Sequence, residues 1–255
     1  MLSKVRVMLA AFLACACLLV AAVAWAAETL IAHASFNPDR LGAPTNLSAT
    51  AKFVSTTGAP PSPITKLVFY GPAGLTIDSS GAGTCTAAKL EAIGPSGCPA
   101  DSRAGFGGGE GLIELAKEII REPYTLDFFF GPRENGHLVL LAYVHASTPA
   151  SFELVLAAKE IHAPKPYGIG FSVDVPLIPT LPEASDASVE SAFLTFGSTN
   201  VAYYKTVHGK KTLFHVRGVV VPKTCPRGGF ASEATIDFAD GTTLTVKPTI
   251  PCPRK

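Results

Sequence analysis

The sequence predicts an all-β protein, a disulfide-stapled antiparallel β-sandwich with one or two short helices. Most of the chain after residue 27 is a succession of short segments in which apolar and polar residues alternate, and this period of two is that of a half-buried strand. Gly, Pro, Asn and Asp residues cluster between the segments, as they do in the turns of sandwiches. The four cysteines of this region are even in number and indicate two disulfides.

The N-terminus has the form of a secretory signal peptide. Lys4 and Arg6 make a short positive region, residues 7–23 are apolar, and Ala24-Trp25-Ala26 offers small residues at the positions that signal peptidase recognises. We therefore expect cleavage after Ala26, leaving a secreted or cell-envelope protein of residues 27–255. The alternative is an uncleaved N-terminal membrane anchor, because the apolar run of about 17 residues is slightly shorter than the roughly 20 that span a bilayer.

The mature chain is expected to be almost neutral. Of the 21 Lys and Arg residues, two lie in the signal peptide, so 19 basic residues remain against 20 acidic ones. A net charge of −1, without a block of basic residues, is unlike that of nucleic-acid-binding proteins or of proteins held at a membrane by charge. We expect no nucleic-acid partner, and a membrane partner only if the N-terminal segment is retained. The charge balance is compatible with a local basic patch.

The cysteines of the mature chain are Cys85, Cys98, Cys225 and Cys252. Three pairings exist for four cysteines. The local pairing, Cys85 with Cys98 and Cys225 with Cys252, closes the shortest loops and is the one we expect. No two of these cysteines have C-x2-C spacing, and no histidine follows at zinc-finger distance, so a metal site is not expected.

The N-terminal third is predicted to contain three strands. The second alternates most clearly, with Leu47, Ala49, Ala51 and Phe53 on one side, as in a half-buried antiparallel strand. The loop that follows is stiffened by several prolines. The predicted strands are residues 28–37, 46–56 and 64–70.

The stretch from Cys85 to Gly111 interrupts the strand pattern. Thr86–Ile93 is rich in good helix formers and is followed by Gly94 and Pro95, which predicts a helix of one or two turns. Five glycines between residues 105 and 111 raise the hypothesis of a phosphate-binding loop. That loop would need a Gly-Lys-Ser/Thr ending or a G-x-G-x-x-G between strand and helix, and neither is present. We interpret the glycines as a structural turn or a bulged strand.

Leu112–Arg121 is ambiguous between a short helix and an edge strand. Its apolar residues fall at helical spacing. The like charges of Glu114 and Glu118, four residues apart, would weaken an isolated helix. Pro123 ends the segment in either case.

The remaining chain is predicted to be strands joined by turns. Residues 124–130 and 137–145 flank a Pro/Asn/Gly turn and predict a hairpin. Asp240-Gly241 predicts a tight two-residue turn in a final hairpin. A sub-domain boundary would lie near 176–187, which opens on a stiff Pro-Leu-Ile-Pro-Thr-Leu-Pro stretch. The predicted strands are residues 151–158, 169–175, 188–196, 200–207, 212–221, 234–238 and 244–246.

A second hairpin, between residues 203 and 218, is the candidate ligand surface. If both arms are strands, Tyr203 and Lys205 share a face on one arm, and Leu213, His215 and Arg217 share a face on the other. Two lysines lie in the turn between them. Such a basic and aromatic patch would suit an anionic glycan or polymer. The predicted patch consists of Tyr203, Lys205, Lys210, Lys211, His215 and Arg217.

The sequence does not contain a recognisable catalytic motif. It lacks the Gly-x-Ser-x-Gly elbow of serine hydrolases, and its six histidines are scattered. Glycosidases use two acids from separate strands, and four carboxylates of the predicted strands could serve. They are Asp127, Glu153, Asp174 and Asp237.

Four segments carry a resemblance: Cys98–Gly105, Val175–Pro182, Cys225–Phe230 and Phe238–Gly241. With the closing Cys252-Pro253, they resemble a group of uncharacterised secreted proteins of actinobacteria that have paired Cys-Pro elements. The resemblance implies a secreted bacterial protein and a strand-like stretch around 114–121. It implies no activity, ligand or catalytic residue.

These observations favour an exported, non-enzymatic binding or structural protein without a cofactor. A cell-wall or extracellular glycan is the partner to consider. The alternative is a polysaccharide-acting hydrolase that uses carboxylates from separate strands.

Overall fold

Antiparallel strands make up most of the chain in this computed structural model, which describes residues 28–56, 58–149, 151–197 and 202–253. The predicted signal peptide, residues 1–26, lies outside the described residues. The described residues contain one α-helix, α1 (Ala87–Ile93), and two short 3-10 helices, Pro95–Gly97 and Ala100–Ser102. The strands are β1 Glu28–Asn37, β2 Pro44–Ser55, β3 Ile64–Pro72, β4 Thr76–Asp78, β5 Arg103–Leu115, β6 Glu118–Phe130, β7 Val139–Ala146, β8 Phe152–Ile161, β9 Tyr167–Asp174, β10 Ser188–Gly197, β11 Ala202–Val207, β12 Lys210–His215, β13 Gly218–Val220, β14 Phe230–Ala231, β15 Glu233–Phe238, β16 Thr243–Val246 and β17 Thr249–Ile250.

Thirteen of these strands form one sheet. Its order is β16-β15-β3-β9-β8-β7-β6-β5-β10-β2-β13-β4, with β1 paired to β2, while β11-β12 and β14-β17 are separate pairs. The strands near its two ends pack against each other, since Phe53 of β2 meets Phe238 of β15 edge to face, with ring centroids 6.1 Å apart. The predicted all-β, antiparallel, disulfide-stapled fold with a short helix is confirmed. The two-layer sandwich arrangement stays a prediction.

The main hydrophobic core lies on one face of this sheet, which we call the inner side. Phe230 of β14 is fully buried there and meets Phe36 of β1 edge to face, with centroids 5.8 Å apart. Aromatic side chains from strands far apart in the sequence fill the same cluster, so long-range contacts hold the fold together. The cluster includes Phe36, Phe130, Phe171, Phe196, Phe230 and Ile250.

Helix α1 covers part of the opposite side of the sheet. Its one fully buried residue, Leu90, packs in a cluster with Phe129 and Leu141 of β6 and β7. Thr86 caps the N-terminus, because its hydroxyl accepts a hydrogen bond from the Lys89 amide at 3.3 Å. The predicted helix is therefore confirmed.

The structure contains the local pair of disulfides. Cys85 is joined to Cys98 around α1, with Cα atoms 5.3 Å apart. Cys225 is joined to Cys252, with Cα atoms 5.8 Å apart, and ties the last residues of the chain to the start of β14.

The stretch Leu112–Arg121 forms strand and turn and is not a helix. It belongs to the β5–β6 hairpin, which turns at Ala116 and Lys117 with φ of 50° and 72°. β5 pairs with β10 only as far as Leu112, and β6 pairs with β7 only from Tyr124, so the strand residues between 113 and 121 pair only with each other. The apolar spacing that resembled a helix is overridden because the two arms of the hairpin pair with each other, from Leu112 with Arg121 to Leu115 with Glu118.

The structure also shows where two other predicted features lie, the Asp240-Gly241 turn and the segment near 176–187. The Asp240-Gly241 turn exists, but it lies in a loop of four residues, 239–242, instead of two. The segment near 176–187 joins β9 to β10, which are strands of the same sheet, and the Glu114 amide of β5 donates to the Ser185 hydroxyl at 2.9 Å.

The glycines of β5 let the neighbouring backbone come close. A Cβ added at Gly109 would overlap the Ser191 carbonyl oxygen of β10 and would lie 2.7 Å from the Tyr124 hydroxyl. That hydroxyl itself donates to the Ser191 carbonyl at 2.9 Å. The glycine-dense run is thus a structural strand, as interpreted from the sequence.

Replacing Gly109 with alanine should destabilise the protein by about 1–3 kcal/mol, the usual cost of overpacking. Gly111→Ala is the matched control, because its Cβ would stay 3.2 Å from the nearest atom, the Ser188 carbonyl oxygen. Urea denaturation of both variants measures the difference. Equal free energies of unfolding for the two variants would contradict this account of β5.

Candidate functional site

The predicted basic hairpin exists and is built by β11 and β12. His208 and Gly209 form its turn with φ of 48° and 77°, a geometry typical of two-residue hairpin loops. The register pairs Tyr203 with Phe214 and Tyr204 with Leu213. Since direct cross-strand partners share a face, the two tyrosines point to opposite sides of the hairpin.

The inner side of the hairpin holds it to the body of the protein. Tyr203 is only 8% exposed, and its hydroxyl donates to the Gly81 carbonyl at 2.9 Å. Its ring contacts that of Phe214, with centroids 5.3 Å apart. Burial, and secondarily the charge of Asp101, raise the pKa of the Tyr203 phenol. The register thus turns the Tyr203 side chain, which the sequence analysis included in the patch, away from the exposed side of the hairpin.

The outer side of the hairpin presents an aromatic and basic surface. Tyr204 is 62% exposed, and the Lys211 ammonium lies 4.8 Å from the centroid of its ring, a cation–π contact. Leu213 and His215 follow Lys211 at alternate positions of β12 and are exposed with it. The exposed aromatic residue of the hairpin is thus Tyr204, which the sequence analysis did not include in the patch.

The remaining predicted patch residues belong to the same hairpin or follow it directly. Lys210 is exposed beside the turn and pairs with Val207 in the register, and Lys205 pairs with Thr212. Arg217 follows β12 and lies 3.8 Å from a carboxylate oxygen of Asp78. The pKa of Asp78 is lowered, mainly by hydrogen bonds from Ser80 and in smaller part by Arg217.

This hairpin carries a local excess of positive charge. Residues 202–217, which we call the basic hairpin, contain three lysines, one arginine and two histidines and no aspartate or glutamate. The predicted mature chain has a net charge of −1, so the rest of it is acidic. A surface of this kind attracts anions at short range although the whole protein is almost neutral.

The carboxylates considered for hydrolysis lie in two separate places. Asp127 and Glu153 flank Tyr143 on the helix-bearing side of β6, β7 and β8, as their register shows. Burial, a hydrogen bond to Glu153 and the two carboxylate charges raise the pKa of the Tyr143 phenol to about 12. Asp127 is also ion-paired with Arg103, and Glu153 lies 3.7 Å from the His145 imidazole.

The other two candidate carboxylates, Asp174 and Asp237, lie on either side of a lysine. Lys66 of β3 is the register partner of both Asp174 and Asp237, and its ammonium lies 4.0 Å from Asp174. Asp237 also accepts a hydrogen bond from the Thr243 hydroxyl at 2.8 Å. Such contacts are those of structural carboxylates on the face of a sheet.

Metal and membrane features are not found in the described part of the chain. Over residues 28–253, apart from the gaps stated above, no three His, Cys, Asp or Glu residues are arranged to hold a metal ion. Within the same ranges, no helix is long and apolar enough to span a bilayer.

A second exposed surface is one that the sequence analysis missed. Phe193 of β10, Phe106 of β5 and Ile31 of β1 are all exposed on the outer side of the sheet. The sequence signal was clearest at Phe193, whose alternate neighbours Ser191 and Thr195 are polar. Their proximity depends on the pairing of β10 with both β2 and β5, which the sequence does not display.

No protein-family model, curated protein or solved structure matches this chain. The resemblance to secreted actinobacterial proteins therefore stays an expectation.

Proposed function

We propose that this protein is an exported, non-enzymatic binding protein of the cell envelope or extracellular space, and that its basic hairpin binds an anionic polymer there. The single observation that carries the proposal is the exposed outer side of the hairpin. There, Lys211 lies over the Tyr204 ring and Leu213 and His215 share its face of β12, while Lys210 is exposed next to the turn.

The compartment is supported by the cysteines. Disulfides form and persist in oxidising environments such as the extracellular space, and all four cysteines in the described residues are paired. The form of residues 1–26 supports export through a cleaved signal peptide. Both features favour a location in which envelope and extracellular polymers are the neighbours of the basic hairpin.

The chemistry of the hairpin favours an anionic glycan among polymers. Lysine ammonium groups donate hydrogen bonds to carboxylates and phosphates, and the exposed face of Tyr204 can stack on a sugar ring. Leu213 adds exposed apolar area next to that ring. An extended polymer can contact the aromatic ring and the cations at once.

Neutralising the two lysines next to the turn should weaken binding to a polyanionic glycan about tenfold or more. Lysines near an anionic surface contribute about 1 kcal/mol each, and about 1.4 kcal/mol is a factor of ten. Lys210→Gln/Lys211→Gln is compared with the wild type for binding to polygalacturonate over a series of salt concentrations. The wild type should lose affinity as salt rises, and the variant should show a flatter dependence.

The matched control is Lys159→Gln/Lys247→Gln. Both lysines are exposed, but each is paired with a glutamate, Glu134 at 3.0 Å and Glu233 at 3.1 Å. This control should bind polygalacturonate as the wild type does. An equal loss in both double variants would show that only total charge matters, and the assignment to the hairpin would fail.

The hydrolase alternative would use Asp127 and Glu153, the two candidate carboxylates that flank a common residue. The ion pair of Asp127 with Arg103 holds that carboxylate in a surface contact, so the geometry favours the binding protein. Release of reducing sugar from the bound polymer by the wild type, and its loss in Glu153→Gln, would reverse this preference.

A further inference from the structure

The outer side of β1, β2, β10, β5 and β6, which we call the open face, has an aromatic ring at its centre. Phe193 of β10 is 47% exposed and has Thr50 and Gly108 as its direct neighbours on the adjoining strands. A Cβ added at Gly108 would lie 3.3 Å from the Phe193 ring, so the ring covers the space that the glycine leaves. One side of the ring is supported by β5, and the ring remains half exposed.

A shallow groove of about 300 Å³ runs beside this ring. It is lined by both apolar and polar side chains, among them Ile31, His33, Thr50, Lys52, Ser191 and Phe193. Small-molecule sites are typically apolar surfaces with a few polar groups that fix orientation, and this volume is at the lower end of their range. The groove therefore has the composition of a site for a small amphipathic unit.

The charges around the groove compensate one another. Arg121 of β6 is ion-paired with Glu110 of β5 at 3.0 Å and also with Glu190 at the bulge of β10. Lys52 adds one positive charge, which balances the second glutamate. The ligand complementary to this surface is therefore uncharged, in contrast to the ligand of the basic hairpin.

A sugar ring in a neutral polysaccharide matches these features. One side of a pyranose consists of C–H groups, whose partial positive charge suits the negative face of an aromatic ring. Its edge carries hydroxyl groups, which the Thr50 and Ser191 hydroxyls and the His33 imidazole can satisfy as donors and acceptors. An apolar protein segment would bury these polar groups without partners, which costs free energy.

We propose that the open face binds an uncharged polysaccharide, with one sugar ring stacked on Phe193 in this groove. This site is separate from the basic hairpin and goes beyond the proposed function. The two surfaces together would allow the protein to contact a neutral and an anionic component of the same matrix.

The test is binding of the full protein to an array of uncharged oligosaccharides: glucans, mannans, galactans and N-acetylglucosamine oligomers. The wild type should bind at least one of these classes. Phe193→Ala and Phe193→Leu should each weaken that binding about tenfold, because both remove the ring face. Phe193→Tyr keeps the ring and should bind within about twofold of the wild type.

Two controls distinguish binding at Phe193 from binding at any exposed apolar residue and from binding at the basic hairpin. Leu177→Ala removes an equally exposed apolar side chain, also 47%, from the loop between β9 and β10, and should not change binding. Lys210→Gln/Lys211→Gln should leave the uncharged ligand bound, so a failure of the basic hairpin does not decide this proposal. Thermal melts verify that each variant is folded.

The outcomes that overturn the proposal are specific. Absence of binding to every uncharged oligosaccharide would overturn it. Full binding by Phe193→Leu would indicate general apolar contact instead of ring stacking, and would also overturn it. Loss of binding in the lysine double variant would assign the ligand to the basic hairpin.

Discussion

Replacing Phe230 with alanine is expected to lower the free energy of unfolding by about 3–5 kcal/mol, the usual cost of removing a fully buried phenylalanine side chain. Phe230 is 0% exposed and packs edge to face against Phe36 of β1. Its strand, β14, has only two residues and pairs with β17. Few backbone hydrogen bonds therefore hold this strand in place once the buried side chain is removed. Urea denaturation followed by far-ultraviolet circular dichroism measures the loss.

Phe106→Ala is the matched control for this prediction. Phe106 is of the same residue type but is exposed on the open face, so its removal should cost far less. A small effect of Phe230→Ala, similar to that of Phe106→Ala, would mean that the end of the chain is not part of the cooperative core.

Removing the disulfide between Cys225 and Cys252 should lower the free energy of unfolding by about 2–5 kcal/mol, as for native disulfides of small secreted domains. The bond closes a loop over a sequence separation of 27 residues. It also ties down both strands of the β14–β17 pair, where Phe230 and Ile250 are buried in the main core. The Cys225→Ala/Cys252→Ala variant is compared with the wild type by thermal and urea denaturation.

Peptide mapping without reduction provides the control for the disulfide variant. The wild type should yield Cys85 linked to Cys98 and Cys225 linked to Cys252, and the variant should retain the first link. Unchanged stability of the variant would show that core packing alone holds the C-terminal strands, contrary to this prediction.

Local turn chemistry explains how much of the fold was predictable. Alternation and glycine or proline turns predicted the strands and the β6–β7 hairpin because these signals act over a few residues. The β5–β6 turn was missed because Ala116 and Lys117 adopt positive φ without being glycine or asparagine. There the cross-strand pairing of β5 with β6 decides the conformation, and the residue types at the turn do not signal it.

The faces of the strands were less predictable than the strands themselves. Successive side chains of a strand point to opposite sides, so Tyr203 lies in the core and the next residue, Tyr204, in solvent. An assignment that is wrong by one residue exchanges the two. The open face was missed for a related reason. Phe193 and Gly108 are far apart in the sequence and become neighbours only when β10 pairs with β5.

The basic hairpin and the candidate carboxylates differ in how free their charges are. The basic hairpin carries an excess of positive charge next to an exposed tyrosine, and it projects from a body held by two disulfides. The carboxylates that hydrolysis would need are instead engaged in ion pairs and hydrogen bonds on the faces of the sheet. This division favours binding over catalysis.

Co-sedimentation of the purified protein with the cell-envelope fraction of the producing organism, over a series of salt concentrations, tests this account most directly. The account predicts retention at low salt, progressive release as salt rises, and weaker retention of Lys210→Gln/Lys211→Gln than of Lys159→Gln/Lys247→Gln. No retention of the wild type, or retention that neither salt nor the hairpin lysines change, would contradict it.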